Sequence, residues 1–212
     1  MADNYLERKM EDLKNGRLSQ GYSRPAGGPK KGYIRFPMPS RRVLVIGGTI
    51  EPALSVARAF LKSDCKVAVL DKGGAIGDNL ASNEGMRFIA GNPNDVESIC
   101  KAFENIISAW RGIDIVITPY KYALLVRKLF TAYKEAYKIP SDYGGRIIIL
   151  SSESIPLEKV DSEQLKEWRI TVNNIVCTGN GEAESVASIA LFLSSTVCGD
   201  VSLSTILTHH PL

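Results

Sequence analysis

The sequence predicts an α/β fold: a single doubly wound domain on a mostly parallel seven-stranded sheet, preceded by an N-terminal helical arm. Short apolar runs rich in β-branched residues recur at 42–47, 66–70, 86–90, 113–118, 146–151, 169–176 and 201–207. Such runs, lacking polar alternation, are the pattern of strands buried on both faces. Helical patterns at 52–63, 95–110, 121–138 and 182–195 separate most of them. That alternation implies parallel strands joined by right-handed crossovers, with helices on both faces of the sheet.

Taken in order, the chain divides near residue 40. Residues 1–42 hold ten Lys or Arg against four Asp or Glu, net +6, which leaves 16 against 19 for the rest, net −3. The basic character therefore belongs to the arm. Within residues 3–15, Tyr5, Leu6, Met10 and Leu13 fall near helical spacing and form one narrow apolar stripe. A helix of that kind is marginal alone and needs a surface to dock on. Nine Gly and Pro from Gly16 to Pro39 make residues 16–40 an extended linker. The expected organisation is thus an arm and linker over 1–40 and a folded domain over 41–212. Lys30, Lys31, Arg35, Arg41 and Arg42 interleave only with Tyr33 and Phe36, and no recognition motif follows. A linker anchoring on its own domain or a neighbour fits this better than nucleic-acid binding.

The first strand runs into Gly47-Gly48-Thr49-Ile50-Glu51-Pro52-Ala53 and then a helix. This is the opening unit of a Rossmann-type sheet, where free N–H groups at the helix N-terminus receive a pyrophosphate. Gly47 serves the tight turn, but Glu51 stands where phosphates must approach bare backbone and Ala53 where helix packs closely on strand. A carboxylate at a helix N-terminus satisfies the dipole itself and repels a pyrophosphate. Pro52 marks the first helical turn. Gly47, Gly48, Thr49 and Asp71 are the candidate cofactor contacts, set against a purely structural reading of the turn. Asp71, closing the second strand, is read either as a ribose-binding carboxylate or as a strand-end cap in Asp71-Lys72-Gly73-Gly74. Asp95 and Glu97 are good start chemistry for the next helix, and Asp161 through Trp168 reads as a short crossover helix.

With 212 residues, 44% hydrophobic and 23% charged, the chain has enough length for one good core. Cys65, Cys100, Cys177 and Cys198 lack metal-ligand or redox spacing and suit buried free thiols in a reducing compartment. No apolar stretch reaches the roughly 20 residues of a membrane span, and the charged N-terminus is unlike a signal peptide, so a cytoplasmic location is expected. His209 and His210 read as a solvated tail rather than a metal site.

RRVLVIGG, CKVAVLDK, GNPNDVESI, WRGIDIVI, GGRIIILSSES, WRITVNNIV and EAESVASIALFLSS, in this order and spacing, resemble the short-chain dehydrogenase/reductases over about residues 41–207. The resemblance implies a single doubly wound domain, usually oligomeric, that uses NAD or NADP to interconvert alcohols and carbonyls. It also implies that Asp71 would favour NAD. Several functional positions depart from the family pattern. Ile46 and Glu51 replace a Thr and a phosphate-facing Gly, Asn92 replaces an Asp near the adenine, Thr118-Pro119-Tyr120-Lys121 replaces Asn-Asn-Ala-Gly, and Cys177-Thr178 replaces Pro-Gly. Proline at 119 removes an N–H and Tyr120 adds bulk. Ser152 aligns with the family's catalytic serine, with Ser151 and Ser154 as further strand-end hydroxyls. The reaction also needs a Tyr acid/base and a Lys one helical turn on, about a dozen residues after the serine. Residues 153–168 contain no tyrosine, and Gly179-Asn180-Gly181 runs straight into the last helix, where the family usually inserts a substrate lid. Tyr5 and Lys9 form the chain's one Tyr-x-x-x-Lys, in the charged arm, where it reads as coincidence.

The favoured reading is a short-chain dehydrogenase/reductase-like protein that is catalytically inactive and acts as a binding or assembly partner. No catalytic residue is assigned, Ser152 being a vestigial candidate. No cofactor is expected, or NAD if any, and no metal, nucleic acid or membrane. A protein partner or self-association is expected through the arm and helix 121–138, whose Leu124, Leu125, Leu129 and Phe130 would supply an apolar surface. The alternatives are an NAD(P)-dependent oxidoreductase acting on an alcohol or carbonyl with Ser152 and a displaced tyrosine, and a nucleotide sensor that keeps contacts to Asp71.

Overall fold

The structure is a computed structural model that describes residues 38, 40–137, 144–154, 157, 162–178, 183–199 and 201–208. The expectations for the arm, for Tyr5 and Lys9, and for His209 and His210 lie outside the described residues. In chain order the elements are β1 (Arg42–Ile46), α1 (Ala53–Lys62), β2 (Lys66–Asp71), α2 (Ala75–Asn83), β3 (Arg87–Ala90), α3 (Val96–Trp110) and β4 (Ile115–Pro119). A short 3-10 turn (Tyr120–Tyr122) then leads into α4 (Ala123–Tyr137), β5 (Gly145–Ser151), α5 (Ser162–Glu167), β6 (Ile170–Cys177), α6 (Ala183–Ser194) and β7 (Thr205–Thr208). The strands form one sheet in the order β3-β2-β1-β4-β5-β6-β7, and every pairing is parallel. The order reverses between β1 and β4, which places a topological switch point at the carboxyl ends of those strands.

Alternation of side chains along each strand divides the core in two. Val43, Val45, Val67, Val69, Ile115, Ile117, Ile148 and Ile175 pack with Val56, Ala57 and Phe60 of α1 and Val186, Ala190 and Leu193 of α6. Leu44, Ile46, Leu70, Val116, Ile147, Ile149 and Val172 face the other way, against Ile99, Phe103 and Ile106 of α3 and Val126, Phe130 and Tyr133 of α4. Full burial of such side chains contributes about 1.5–3 kcal/mol each. This is why continuous apolar strands settle here rather than at a solvated sheet.

Helix α3 starts as its sequence predicts: the Ser98 N–H and hydroxyl both donate to Asp95 Oδ2 at 2.9 Å. It ends at Arg111, which adopts a left-handed conformation with φ 56°. Pro52 stands at the N-cap of α1 rather than inside its first turn. Helix α2 was not expected, because Ile76 and Leu80 are its only large apolar residues and Gly77 interrupts it. A Cβ at Gly77 would lie 2.5 Å from the Phe88 ring, so the glycine lets α2 sit directly on β3.

The last strand is shorter than the predicted 201–207. Ahead of it Asn173 replaces ladder bonds with its side chain, donating to Val201 O at 2.9 Å and accepting from Ser204 N at 3.1 Å. Phe130 is also corrected: it is fully buried and offers no surface. Gly145 makes room for it, since a Cβ there would meet the Phe130 ring at 2.5 Å. At the amino edge of the sheet, Arg42 and Asp114 form a bidentate pair, Nε to Oδ2 and Nη2 to Oδ1, both 2.8 Å.

Candidate functional site

The β1–α1 turn, the end of β2 and the end of β4 meet at the switch point, so the candidate contacts Gly47, Gly48, Thr49 and Asp71 share one neighbourhood. Gly47 takes φ +74°, the left-handed conformation a tight turn demands, and its N–H donates to Leu70 O at 2.8 Å. Gly48 is fixed by crowding instead. A Cβ there would lie 2.9 Å from Cγ1 of both Val45 and Val69.

An α-helix leaves its first four N–H groups without intrahelical partners, and these are the donors that would face a phosphate. In α1, Leu54 N donates back to Ile50 O at 3.0 Å, ahead of the first intrahelical bond, from Val56 N to Pro52 O at 3.1 Å. Ser55 N donates to the Glu51 carboxylate, Oε2, at 3.1 Å. Glu51 thus caps the helix across the position where a phosphate would sit.

Asp71 is buried and its carboxylate is occupied on both oxygens. Thr49 N–H and the Thr49 hydroxyl donate to Oδ2 at 3.0 and 2.5 Å, and Lys72 N–H donates to Oδ1 at 2.8 Å. The Lys72 contact lies within the strand-end turn Asp71-Lys72-Gly73-Gly74, and the Thr49 contacts join that strand end to the β1–α1 turn.

At the end of β4, Thr118 is buried and its hydroxyl donates to Pro119 O at 3.1 Å. Tyr120 is exposed, and Lys121 Nζ lies 4.8 Å from the centre of the Tyr122 ring. At the end of β5 the three serines separate. The Ser151 hydroxyl lies 3.0 Å from Asn174 Oδ1 and 2.8 Å from Glu153 O, whereas Ser152 and Ser154 are exposed. Asn174 is fully buried on β6 and its Nδ2 has no hydrogen-bond partner. Sequence reasoning missed this Ser151–Asn174 pair. Its signal is the adjacent amides Asn173-Asn174 inside the apolar run ITVNNIV. Among the described residues the crossover from β5 to β6 holds one helix of six residues, α5.

Away from the switch point, a cavity of about 620 Å³ lies between α3 and α4, lined by Cys100, Phe103, Ile107, Leu129, Tyr133 and Tyr137 among others. On α4, Leu124 is 52% exposed and Tyr137 59% exposed. Leu125 and Leu129 are half-buried. Burial pushes the thiols of Cys65 and Cys198 above the ordinary cysteine range, which makes them poor nucleophiles. Among the described residues no group of three or more His, Cys, Asp or Glu is placed to hold a metal ion. No helix of the described residues is long and apolar enough to cross a membrane.

The sequence matches no protein-family profile and no curated protein. Solved structures do match. A short-chain type dehydrogenase/reductase from Mycobacterium marinum superimposes with a TM-score of 0.66 at 17% identity, covering 82% of this chain and 95% of that one. The fold is that of the short-chain dehydrogenase/reductases. A short-chain dehydrogenase/reductase from Serratia marcescens gives a TM-score of 0.62 at 16% identity, over 81% of this chain and 97% of that one. An enoyl-(acyl-carrier-protein) reductase from Anaplasma phagocytophilum, in complex with NAD, gives 0.64 at 16% identity, over 82% and 93%. The short-chain dehydrogenase/reductase resemblance read from the order of seven segments is therefore matched in the architecture. At these identities it extends to the fold alone.

Proposed function

We propose that this chain is a non-catalytic short-chain dehydrogenase/reductase-like protein that works as a binding or assembly partner. One observation carries the reading: the Leu54 and Ser55 N–H groups at the start of α1 and the carboxylate of Asp71 are already bonded within the chain. A dinucleotide does not fit a turn arranged in this way. Its pyrophosphate would meet the Glu51 carboxylate, and its ribose would have to displace Thr49 from Asp71. The absence of any tyrosine from residues 153–168 supports the same reading, since the exposed Ser152 then has no acid/base partner on that segment. Engagement of protein through the arm and α4 belongs to this proposal, as does a cytoplasmic location.

Calorimetric titration of the full chain with NAD and NADP, followed by a panel of ketones and aldehydes with each reduced cofactor, tests it. No saturable binding and no turnover are expected. A micromolar dissociation constant with measurable turnover would overturn the reading. A specific observation favours one alternative, an NAD(P)-dependent oxidoreductase: exposed Ser152 and exposed Tyr120 stand after the ends of neighbouring strands β5 and β4. Turnover abolished by both Ser152→Ala and Tyr120→Phe would establish that alternative.

A further inference from the structure

We infer that Glu51 is a built-in anion, whose carboxylate stands at the N-terminus of α1 where a ligand's phosphate would stand and keeps the turn closed to polyphosphates. The inference rests on the reading just given and assigns the closure to a single side chain. Two of the N–H groups at the start of α1 have partners within the chain, and that of Leu54 goes to the Ile50 carbonyl, which no substitution removes. The Ser55 N–H goes to Glu51 Oε2 and is the one a substitution can release. The same carboxylate puts a full negative charge at the positive end of the helix dipole, satisfying it and opposing any second anion brought there. The remainder of the turn is held by contacts within the chain. Gly47 is bonded to Leu70, Gly48 is wedged between Val45 and Val69, and Thr49 is held by Asp71. The loop that elsewhere wraps a phosphate is here complete in itself, with Glu51 supplying the anion.

Inorganic pyrophosphate is the suitable probe, because it contacts the turn without involving Asp71 or Pro119. Titration calorimetry and thermal melts of the full chain compare wild type, Glu51→Gly and Glu51→Gln. Wild type is expected to show no saturation and a melting temperature that pyrophosphate leaves unchanged. Glu51→Gly should melt lower by itself, regain stability on adding pyrophosphate, and bind it at least tenfold more tightly than wild type. Glu51→Gln keeps an oxygen that can accept from Ser55 but loses the charge, so it should melt near wild type and gain about threefold in affinity. If Glu51→Gly does not fold, the glutamine variant decides. Equal affinity in wild type and variants, or no gain in either variant, overturns the closure. A failure to gain binding while wild type still ignores NAD leaves the non-catalytic reading standing, whereas turnover by the wild-type chain overturns that reading first.

Discussion

Thr49 and Asp71 lie 22 residues apart and meet at one carboxylate oxygen, which accepts both the Thr49 N–H at 3.0 Å and the Thr49 hydroxyl at 2.5 Å. The contact ties the β1–α1 turn to the end of β2, so a carboxylate at a ligand-facing place in the fold is bonded as a structural clamp. Asp71→Ala would leave three donors, the Thr49 N–H and hydroxyl and the Lys72 N–H, without their partner in a part-buried site. It should cost about 2–3 kcal/mol, the range for losing charge-assisted hydrogen bonds. Asp71→Asn keeps an accepting oxygen and should recover about half of that. Urea denaturation checks both, read as a shift in midpoint at unchanged slope. A wild-type midpoint for Asp71→Ala would mean that the carboxylate is not a clamp.

The strands were legible because burial on both faces leaves few polar residues to interrupt them, as in Val43-Leu44-Val45-Ile46 and Ile147-Ile148-Ile149. Helix α2 was not legible, because what permits it is the Phe88 ring lying where a side chain on Gly77 would go, a tertiary contact with no local trace. Phe130 misled for a related reason. Helix α4 carries apolar residues on more than one face, and the place of Phe130 among them depends on the space above Gly145 on β5, a tertiary contact. At the candidate site, the effect of Glu51 on α1 followed from elementary electrostatics and corresponds to its bond with Ser55. The choice among Ser151, Ser152 and Ser154 did not follow, because it depends on Asn174 of the neighbouring strand.

Gly48→Ala separates a glycine kept for packing from one kept for ligand approach. The new methyl would stand 2.9 Å from Cγ1 of Val45 and of Val69, closer than real Cβ contacts allow, and both valines are fully buried in the core. Overpacking of that kind costs about 1–3 kcal/mol. Val69→Ala in the same chain should relieve part of it, giving a non-additive double mutant. Additive losses on thermal denaturation would show that the crowding is not what fixes this glycine.

Acid should weaken the fold partly through Asp114. Burial alone would raise its carboxyl, but the hydrogen bonds and charge of Arg42 outweigh burial and hold it below the usual carboxylate range. A carboxylate depressed in the folded state contributes stability that is present above its unfolded value of about 4 and is lost as pH falls through the folded value. Asp114→Asn should therefore flatten the stability profile below about pH 4. At neutral pH it should cost about 3 kcal/mol, the lower part of the range for breaking a buried pair, since the Arg42 side chain keeps 26% of its exposure. Glu84, likewise held low by its hydrogen bond to Arg58, adds to the acid limb. That pair is more exposed, so salt should remove its share and leave the share of Asp114.

The assembly reading makes its own demand on α4. Leu124 at 52% exposure and Tyr137 at 59% are large apolar groups on the helix that flanks the cavity beside α3. Covering a leucine of that kind contributes about 1.5–3 kcal/mol, while ordering a short arm works against it. If the full chain self-associates, its mass by light scattering should rise with concentration. Leu124→Glu should shift that curve toward the monomer while changing the melting temperature of the dilute protein by little, because an exposed residue contributes little to the monomer's own core. Deleting residues 1–20 should shift it in the same direction if the Tyr5, Leu6, Met10 and Leu13 stripe takes part. A wild-type mass that stays monomeric at every concentration, or one that neither change moves, removes self-association from the proposal and leaves a different protein as the partner to be sought.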